Sequence, residues 1–185
     1  MDEQLIIAGF GGQGVMAMGQ LLTYSGMIED KNVSWLPSYG PEMRGGTANC
    51  NVTISTDPVA SPIVVEATTA IVLNLPSLDK FEASVVPGGN LLINSSLIER
   101  KAERDDLNVY YIPANNIAME LGSVKAANMV MLGAYIEITG AIKVESVYEA
   151  FGKVFGEAKA HLLPMNKEAL QRGSELIKEQ MKVNA

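Results

Sequence analysis

The sequence is short of the residues that usually hold metals or carry acid–base chemistry. Among 185 residues it has one cysteine, Cys50, and one histidine, His161. A single cysteine excludes an internal disulfide framework, a thiolate zinc site and a self-contained iron–sulfur cluster. A single histidine leaves little material for a His-based metal site or a catalytic triad. Lys and Arg number 14 against 21 Asp and Glu, a net charge of −7. With no basic block as well, nucleic acid is not an expected partner. No uninterrupted apolar run is long enough to span a bilayer, so no membrane is expected either. Asp2 and Glu3 stand where a secretory leader would carry positive charge, and the expected location is the cytoplasm. What remains is 48% hydrophobic and 19% charged, an ordinary globular composition. Its length suits a single domain over residues 1–185.

The chain is organised around Gly9-Phe10-Gly11-Gly12-Gln13-Gly14. An apolar run, Leu5 to Ala8, precedes it, and a Pro-free segment, Val15 to Glu29, follows. That order predicts strand, glycine turn, helix. Glycines leave backbone N–H groups uncovered, and a helix N-terminus favours an anion, commonly a phosphate. The spacing matches G-x-G-x-x-G through Gly9, Gly11 and Gly14. A dinucleotide site would also need an acid closing the second strand, about 20 residues on. Here that strand, Val33 to Leu36, closes in Pro37-Ser38-Tyr39, and Glu29 and Asp30 precede it. The fold signal is therefore stronger than the NAD signal, and glycines that merely let strand and helix pack closely remain an equal reading.

Further along, Val15, Met18 and Leu22 share one helical face, and Cys50, Val52 and Ile54 share one face of a strand over Ala48 to Ser55. Thr69 to Leu75 reads as a central strand, with Ser77 capping a short helix to Val85. Pro87 to Asn90 reads as a turn into a strand at Leu91–Asn94, and another strand follows at Val109–Ile112. Strands alternating with helices predict an α/β, Rossmann-like fold: an open, largely parallel sheet with helices on both faces. The last third adds a helical C-terminal part. Ala126 to Ile138 is apolar nearly all round, as in a buried or interface helix. Val144, Val147, Tyr148, Phe151, Val154 and Phe155 mark an amphipathic helix. A final helix runs to about Lys182, with Asn166 as its expected N-cap.

The second chemical feature is the loop Ser38-Tyr39-Gly40-Pro41-Glu42-Met43-Arg44-Gly45-Gly46. An Arg held between glycines offers a planar fork to a phosphate or carboxylate. The loop should leave the same sheet edge as the glycine turn. Ligand binding, a partner contact and an Arg44–Glu42 pair stiffening the loop all fit the spacing. Cys50, on an apolar strand face, reads as a buried inert thiol, and His161 as a structural residue. Trp35 and Tyr39 could stack on an adenine, although Trp35 reads better as core.

Three stretches together, GFGGQG, SYGPEMRGGTANC and KAANMVMLGAY, resemble the gamma subunit of the 2-oxoacid:ferredoxin oxidoreductases, most like the 2-oxoglutarate branch. The resemblance covers nearly the whole chain and implies a component of a complex, inactive when isolated. The complex joins a 2-oxoacid to coenzyme A with loss of CO₂, passing two electrons to ferredoxin. It implies thiamine diphosphate, Mg and iron–sulfur clusters held by other subunits, and none held by this chain alone. The implied partners are alpha and beta (thiamine-diphosphate) subunits and a ferredoxin-like delta subunit; separately, the apolar helix Ala126 to Ile138 and its Met-rich surround point to self-association, a homodimer, for the isolated chain. Carried onto this sequence, the cofactor-side residues are Gly9, Gly11, Gly12, Gln13 and Gly14 in the turn. In the loop they are Ser38, Tyr39, Gly40, Glu42, Arg44 and Gly45. No catalytic or metal residue is implied. The rival readings are a stand-alone NAD(P)-binding oxidoreductase and a purely structural subunit.

Overall fold

Leu5 and Ile7 point to one side of the first strand and Ile6 and Ala8 to the other, and all four are buried. Burial on both faces makes this strand the centre of a covered sheet. The computed structural model describes residues 2–38 and 47–184. In chain order the elements are β1 (Asp2–Phe10), α1 (Val15–Ile28), β2 (Asn32–Ser38), β3 (Thr47–Ser55), β4 (Ala67–Val72) and α2 (Leu75–Phe81). They continue with β5 (Val85–Asn94), β6 (Asn108–Ile112), α3 (Ala114–Glu120), α4 (Ala127–Thr139), α5 (Val144–Phe155) and α6 (Leu163–Val183). The sheet order is β2-β3-β1-β4-β5-β6. From β1 to β6 the pairing is parallel, and β3 runs antiparallel to both its neighbours. The expected α/β architecture, open and largely parallel with a helical C-terminal part, is the one observed. Among the described residues no helix is long and apolar enough to cross a membrane.

The helices are shared unequally. A large core unites Leu5, Ile7, Cys50, Val52 and Ile71 of the sheet with α1, α4, α5 and α6. On the other face α2 covers smaller clusters around Ala70, Val72, Leu91 and Ile93 and around Ile6 and Ala8. Pro37 is tolerated in β2 because that strand is at the edge of the sheet.

Four local expectations are corrected. The β4 strand ends at Val72, and Asn74 caps α2, its Oδ1 accepting the Ser77 N–H at 2.9 Å. Pro76 therefore sits in the first helical turn, where its missing N–H costs nothing. The Pro87–Asn90 segment is an irregularity inside β5, where the register with β4 shifts. Asn166 lies within α6, its Nδ2 donating to the Leu162 carbonyl at 2.8 Å, so it is not the cap. The apolar helix α4 is buried against this chain's own α6, α1 and α3. Its composition thus gives no argument for self-association.

Two carboxylates, Glu29 half-buried and Glu3 buried, tie the elements together. Glu29, just past α1, accepts the Lys143 N–H at 2.6 Å and the Ser146 hydroxyl at 2.7 Å, and pairs with Lys31 at 2.8 Å. It thereby caps the start of α5 from outside. Burial alone would raise its pKa, but the Lys143 amide, Lys31 and Ser146 outweigh that and hold it below the ordinary value of 4.5. A depressed carboxylate stabilises the fold above its unfolded pKa, and that contribution is lost as pH falls through the folded value. Glu29→Ala should cost about 1–2 kcal/mol at neutral pH, the range of a lost helix cap. The deficit should shrink as the pH drops below 4.5, read as urea midpoints against pH.

Glu3 has the opposite sign. Its Oε2 accepts the hydroxyls of Thr69 and Tyr135, each at 3.1 Å, inside the sheet–α4 interface. Burial raises its pKa above 4.5, and the Thr69, Tyr135 and Thr68 hydroxyls offset only part of the shift. Folding therefore favours the protonated form, and stability falls as pH rises from the unfolded to the folded pKa. Glu3→Gln should flatten that decline while keeping an acceptor for Tyr135. A variant with the wild-type pH slope above 4.5 would show that Glu3 does not titrate within the fold.

Candidate functional site

The glycine turn joins β1 to α1 at the carboxyl edge of the sheet. Gly12 (φ 89°) and Gly14 (φ 79°) are both in the left-handed region, where a side chain would be strained. Gly14 is the N-cap of α1 and its carbonyl accepts the Met18 N–H at 3.0 Å. Gly14 has no side chain with which to cap this helix, and no acid lies in its first turn. The helix thus presents amides that no side chain among the described residues claims, and the positive end of its dipole, at the sheet edge.

Gln13 holds the turn in place. Its Oε1 accepts the Phe10 N–H at 2.6 Å and its Nε2 donates to the Leu73 carbonyl at 3.3 Å, tying the turn to the end of β4. Gly9 is enclosed by Gln13, Leu73 and Val15, so its lack of a side chain answers a packing need. Across the turn stands Asn128 of α4, 7% exposed, its Nδ2 donating to the Gly14 carbonyl at 3.4 Å. Its Oδ1 accepts no hydrogen bond among the described residues.

Two clefts open on either side of this contact, sharing Gly12, Lys125 and Asn128. The first, about 200 Å³, is lined by four carboxamides, Gln13, Asn94 at the end of β5, Asn115 of α3 and Asn128, together with Leu73, Val124 and Ala127. Asn94 and Asn115 are joined at 2.8 Å. The second, about 320 Å³, runs between α1, α4, α5 and the start of α6 and is lined largely by Ala17, Met129, Phe151, Phe155 and Met165. Lys125 is an exposed cation beside the glycine turn, in a short turn at Val124–Ala126 that leads into α4.

The expected site residues fall into three groups. Gly12 lines both clefts, Gln13 the first and Gly14 the second, whereas Gly9 and Gly11 line neither. Ser38 ends β2 in register with Asn49, and Asn49 with Ala8, so β2 ends at the glycine edge of the sheet. Tyr39, Gly40, Glu42, Arg44 and Gly45 lie outside the described residues. Lys125, Asn94, Asn115 and Asn128 are cleft residues that pattern reading missed. A signal existed: in open α/β sheets ligands bind at the carboxyl ends of strands, and Asn94 closes a parallel strand there.

Cys50 is fully buried beneath Trp35 and α1, and burial pushes its thiol up to about 12. It is an inert core residue. His161 is exposed in the turn before α6, so it is not a core residue. Trp35 is half-buried and packs over Gly19. The strand beside β1, where a dinucleotide fold would place its ribose acid, is β3, and it runs the wrong way, with Thr47 opposite Phe10. That topology counts against a stand-alone NAD(P) site.

Residues 4–176 match the family described as pyruvate ferredoxin/flavodoxin oxidoreductase. Ketoisovalerate oxidoreductase subunit VorA of Methanothermobacter thermautotrophicus is 39% identical over 96% of this chain, which spans only 37% of that protein. The 2-oxoglutarate synthase subunit KorC of Methanothermobacter marburgensis is 32% identical, with 98% of this chain and 100% of that one covered. Among solved structures, the gamma subunit of keto/oxoacid ferredoxin oxidoreductase from Geobacter sulfurreducens superposes with a TM-score of 0.81 at 28% identity, covering 96% of this chain and 99% of the other.

Proposed function

We propose, from the premise that the chain belongs to the pyruvate ferredoxin/flavodoxin oxidoreductase family, that it is the gamma subunit of a multisubunit 2-oxoacid:ferredoxin oxidoreductase. In this reading the complex converts a 2-oxoacid and coenzyme A to acyl-CoA and CO₂ and reduces a ferredoxin or related acceptor. Thiamine diphosphate, Mg and the iron–sulfur clusters belong to alpha, beta and delta partners, and the isolated chain is inactive. This chain contributes to assembly and to holding coenzyme A.

One observation carries the coenzyme role. The uncapped, left-handed glycine turn faces Lys125 and the buried Asn128 across a cleft at the carboxyl edge. Coenzyme A brings a pyrophosphate and a further phosphate, which such amides and a lysine accept. Its acidity overall does not oppose this, because the local cation sits at the turn.

For the acid, 2-oxoglutarate is supported by the KorC relatives, one of which aligns over 98% of this chain at 32% identity. The higher identity of VorA supports 2-oxoisovalerate as the second reading. The test is an anaerobic pull-down of the tagged chain from its own cells, assayed for CoA-dependent viologen reduction with each acid. Co-elution of larger subunits with activity on 2-oxoglutarate is expected. Activity on 2-oxoisovalerate alone would favour the second reading. A chain that emerges alone and inactive would overturn the subunit role.

A further inference from the structure

The sheet is covered unevenly. On one face α1 packs over β2 and β3, where Trp35 and Cys50 meet Gly19, and on the other α2 packs over β1 and β4. Beside β3 on the α2 side, the sheet is bordered not by a helix but by residues 56–66, the segment between β3 and β4. Val64 pins that segment: it is 7% exposed and packs with Ile6, Ala8, Ala67 and Phe81. Its neighbours face outward, Ile63 at 60% and Val65 at 75% exposed. Two branched aliphatic side chains are thus held in water on a backbone that cannot withdraw them, which the fold itself does not need.

A cleft lies on each side of the pair. Beside Ile63, one of about 220 Å³ runs between the segment and Asp2, Gln4, Thr53 and Ser55 of the sheet. Beside Val65, another of about 310 Å³ is bordered by Glu66, residues 83–87 and Arg104, which is already paired with Asp106 at 2.6 Å. Beyond the first cleft the sheet has a composition of its own. Leu36 stands opposite Asn51 and Asn51 opposite Ile6, and Ser34 stands opposite Thr53 and Thr53 opposite Gln4. Neither row carries a charge, in a chain that is 19% charged. The Asn51 carboxamide is half-buried and makes no hydrogen bond among the described residues, so its donors and acceptor are unused. Scarce charge beside apolar side chains marks the core of a protein interface. A nucleic acid or an anionic lipid surface would call for cations, and the two rows offer none.

We propose that this face, centred on Ile63 and Val65, is where a larger partner subunit docks. The proposal rests on the multisubunit reading above. The VorA relative carries this unit as 37% of its length, so further polypeptide is tethered to the same fold there. That polypeptide needs a surface to rest on, and where it is a separate chain the contacts alone must hold it. The opposite face is taken by α1, α4, α5 and α6, and the carboxyl edge opens on the glycine-turn clefts. The amino edge, with the open part of the α2 face, is the surface left. The docking segment brings an apolar hollow for Ile63 and Val65 and an uncharged amide for Asn51, and it leaves the glycine edge free.

The test compares tagged chains expressed in their own cells: wild type, Ile63→Asp, Val65→Lys and, on the outer side of α1, Met27→Asp. All three positions are exposed, and folding of each variant is checked by circular dichroism. Ile63→Asp and Val65→Lys add opposite charges, so a loss shared by both reports the apolar contact and not a charge mismatch. Each should reduce the larger subunits recovered per tagged chain at least about tenfold, with Met27→Asp at the wild-type ratio. Hydrogen exchange at residues 61–66 should be slower in the wild-type complex than in the isolated chain. Wild-type recovery by both variants, or unchanged exchange at 61–66, would overturn the docking face and leave the subunit role standing. If instead both variants turned a wild-type dimer of this chain into a monomer and still recovered the larger subunits, the face would belong to a second copy and the proposal would fail. A wild-type chain that recovers no larger subunit would overturn both the docking face and the multisubunit reading.

Discussion

Gly133→Leu or Gly173→Leu should leave little folded protein. The two glycines are where α4 and α6 cross. A Cβ on Gly133 would press into the Leu170 carbonyl, whose carbon would lie 2.7 Å away, and one on Gly173 would press into Val130, whose carbonyl carbon would lie 2.9 Å away. Both obstacles are backbone inside helices, so neither can rotate aside. Even a single extra group in a packed core costs about 1–3 kcal/mol. A leucine that separates two helices should exceed about 4 kcal/mol, close to the whole stability of a marginal domain. Gly152→Ala is the contrasting case. Gly152 lies inside α5 with open space around its missing Cβ, so alanine should stabilise the chain by about 0.5–1 kcal/mol. Thermal denaturation of the three variants tests the sign as well as the size. If Gly133→Leu melted with the wild type, the α4–α6 crossing would not be what carries the C-terminal half.

The second large effect is expected at Gly14 and should appear in binding more than in stability. An alanine there would be held at φ 79° with its methyl 2.7 Å from the Asn128 Cγ. The left-handed backbone costs about 1–2 kcal/mol for a residue with a Cβ. Relief requires Asn128 to swing away from the Gly14 carbonyl, which disturbs a residue that lines both clefts. Gly14→Ala should therefore remain folded, with a urea midpoint shifted by that modest amount, yet lose coenzyme A affinity by tenfold or more, about 1.4 kcal/mol. Gly12→Ala shares the strain (φ 89°) but meets nothing within 4 Å. Its stability loss should be similar and its loss of affinity smaller. Equal affinities for the two variants would mean that Asn128 does not contribute to the site.

Much of the fold was legible because its signals are local. The turn from β1 to α1 is written in one short run of glycines, and the amphipathic helix α5 in the spacing of Val144, Val147, Tyr148, Phe151, Val154 and Phe155. The direction of β3 was not legible, since alternation of Cys50, Val52 and Ile54 tells which face is buried and not which way the strand runs. Asn74 and Ser77 illustrate a smaller failure. Either can cap a helix, and only the position of Pro76 in the first turn decides for Asn74. The site was half legible for the same reason. The glycine turn is contiguous in sequence, whereas Asn94, Asn115, Lys125 and Asn128 come from separate elements and meet only through the sheet order. Lys125 and Asn128 did lie inside a recognised motif, but as residues three apart at the start of an apolar helix they look like an ordinary helix start.

The claim that the glycine-turn cleft serves coenzyme A is tested most directly by steady-state kinetics of the assembled complex carrying Lys125→Glu in this chain. Lys125 is exposed, so the substitution should leave folding and assembly intact. Loss of one charge-assisted contact to phosphate is worth about 1.5–3 kcal/mol, and reversal of the charge adds repulsion. The KM for coenzyme A should rise at least about tenfold, with the KM for the 2-oxoacid unchanged. An unchanged KM for coenzyme A in an intact complex would contradict the account and leave the chain a structural subunit.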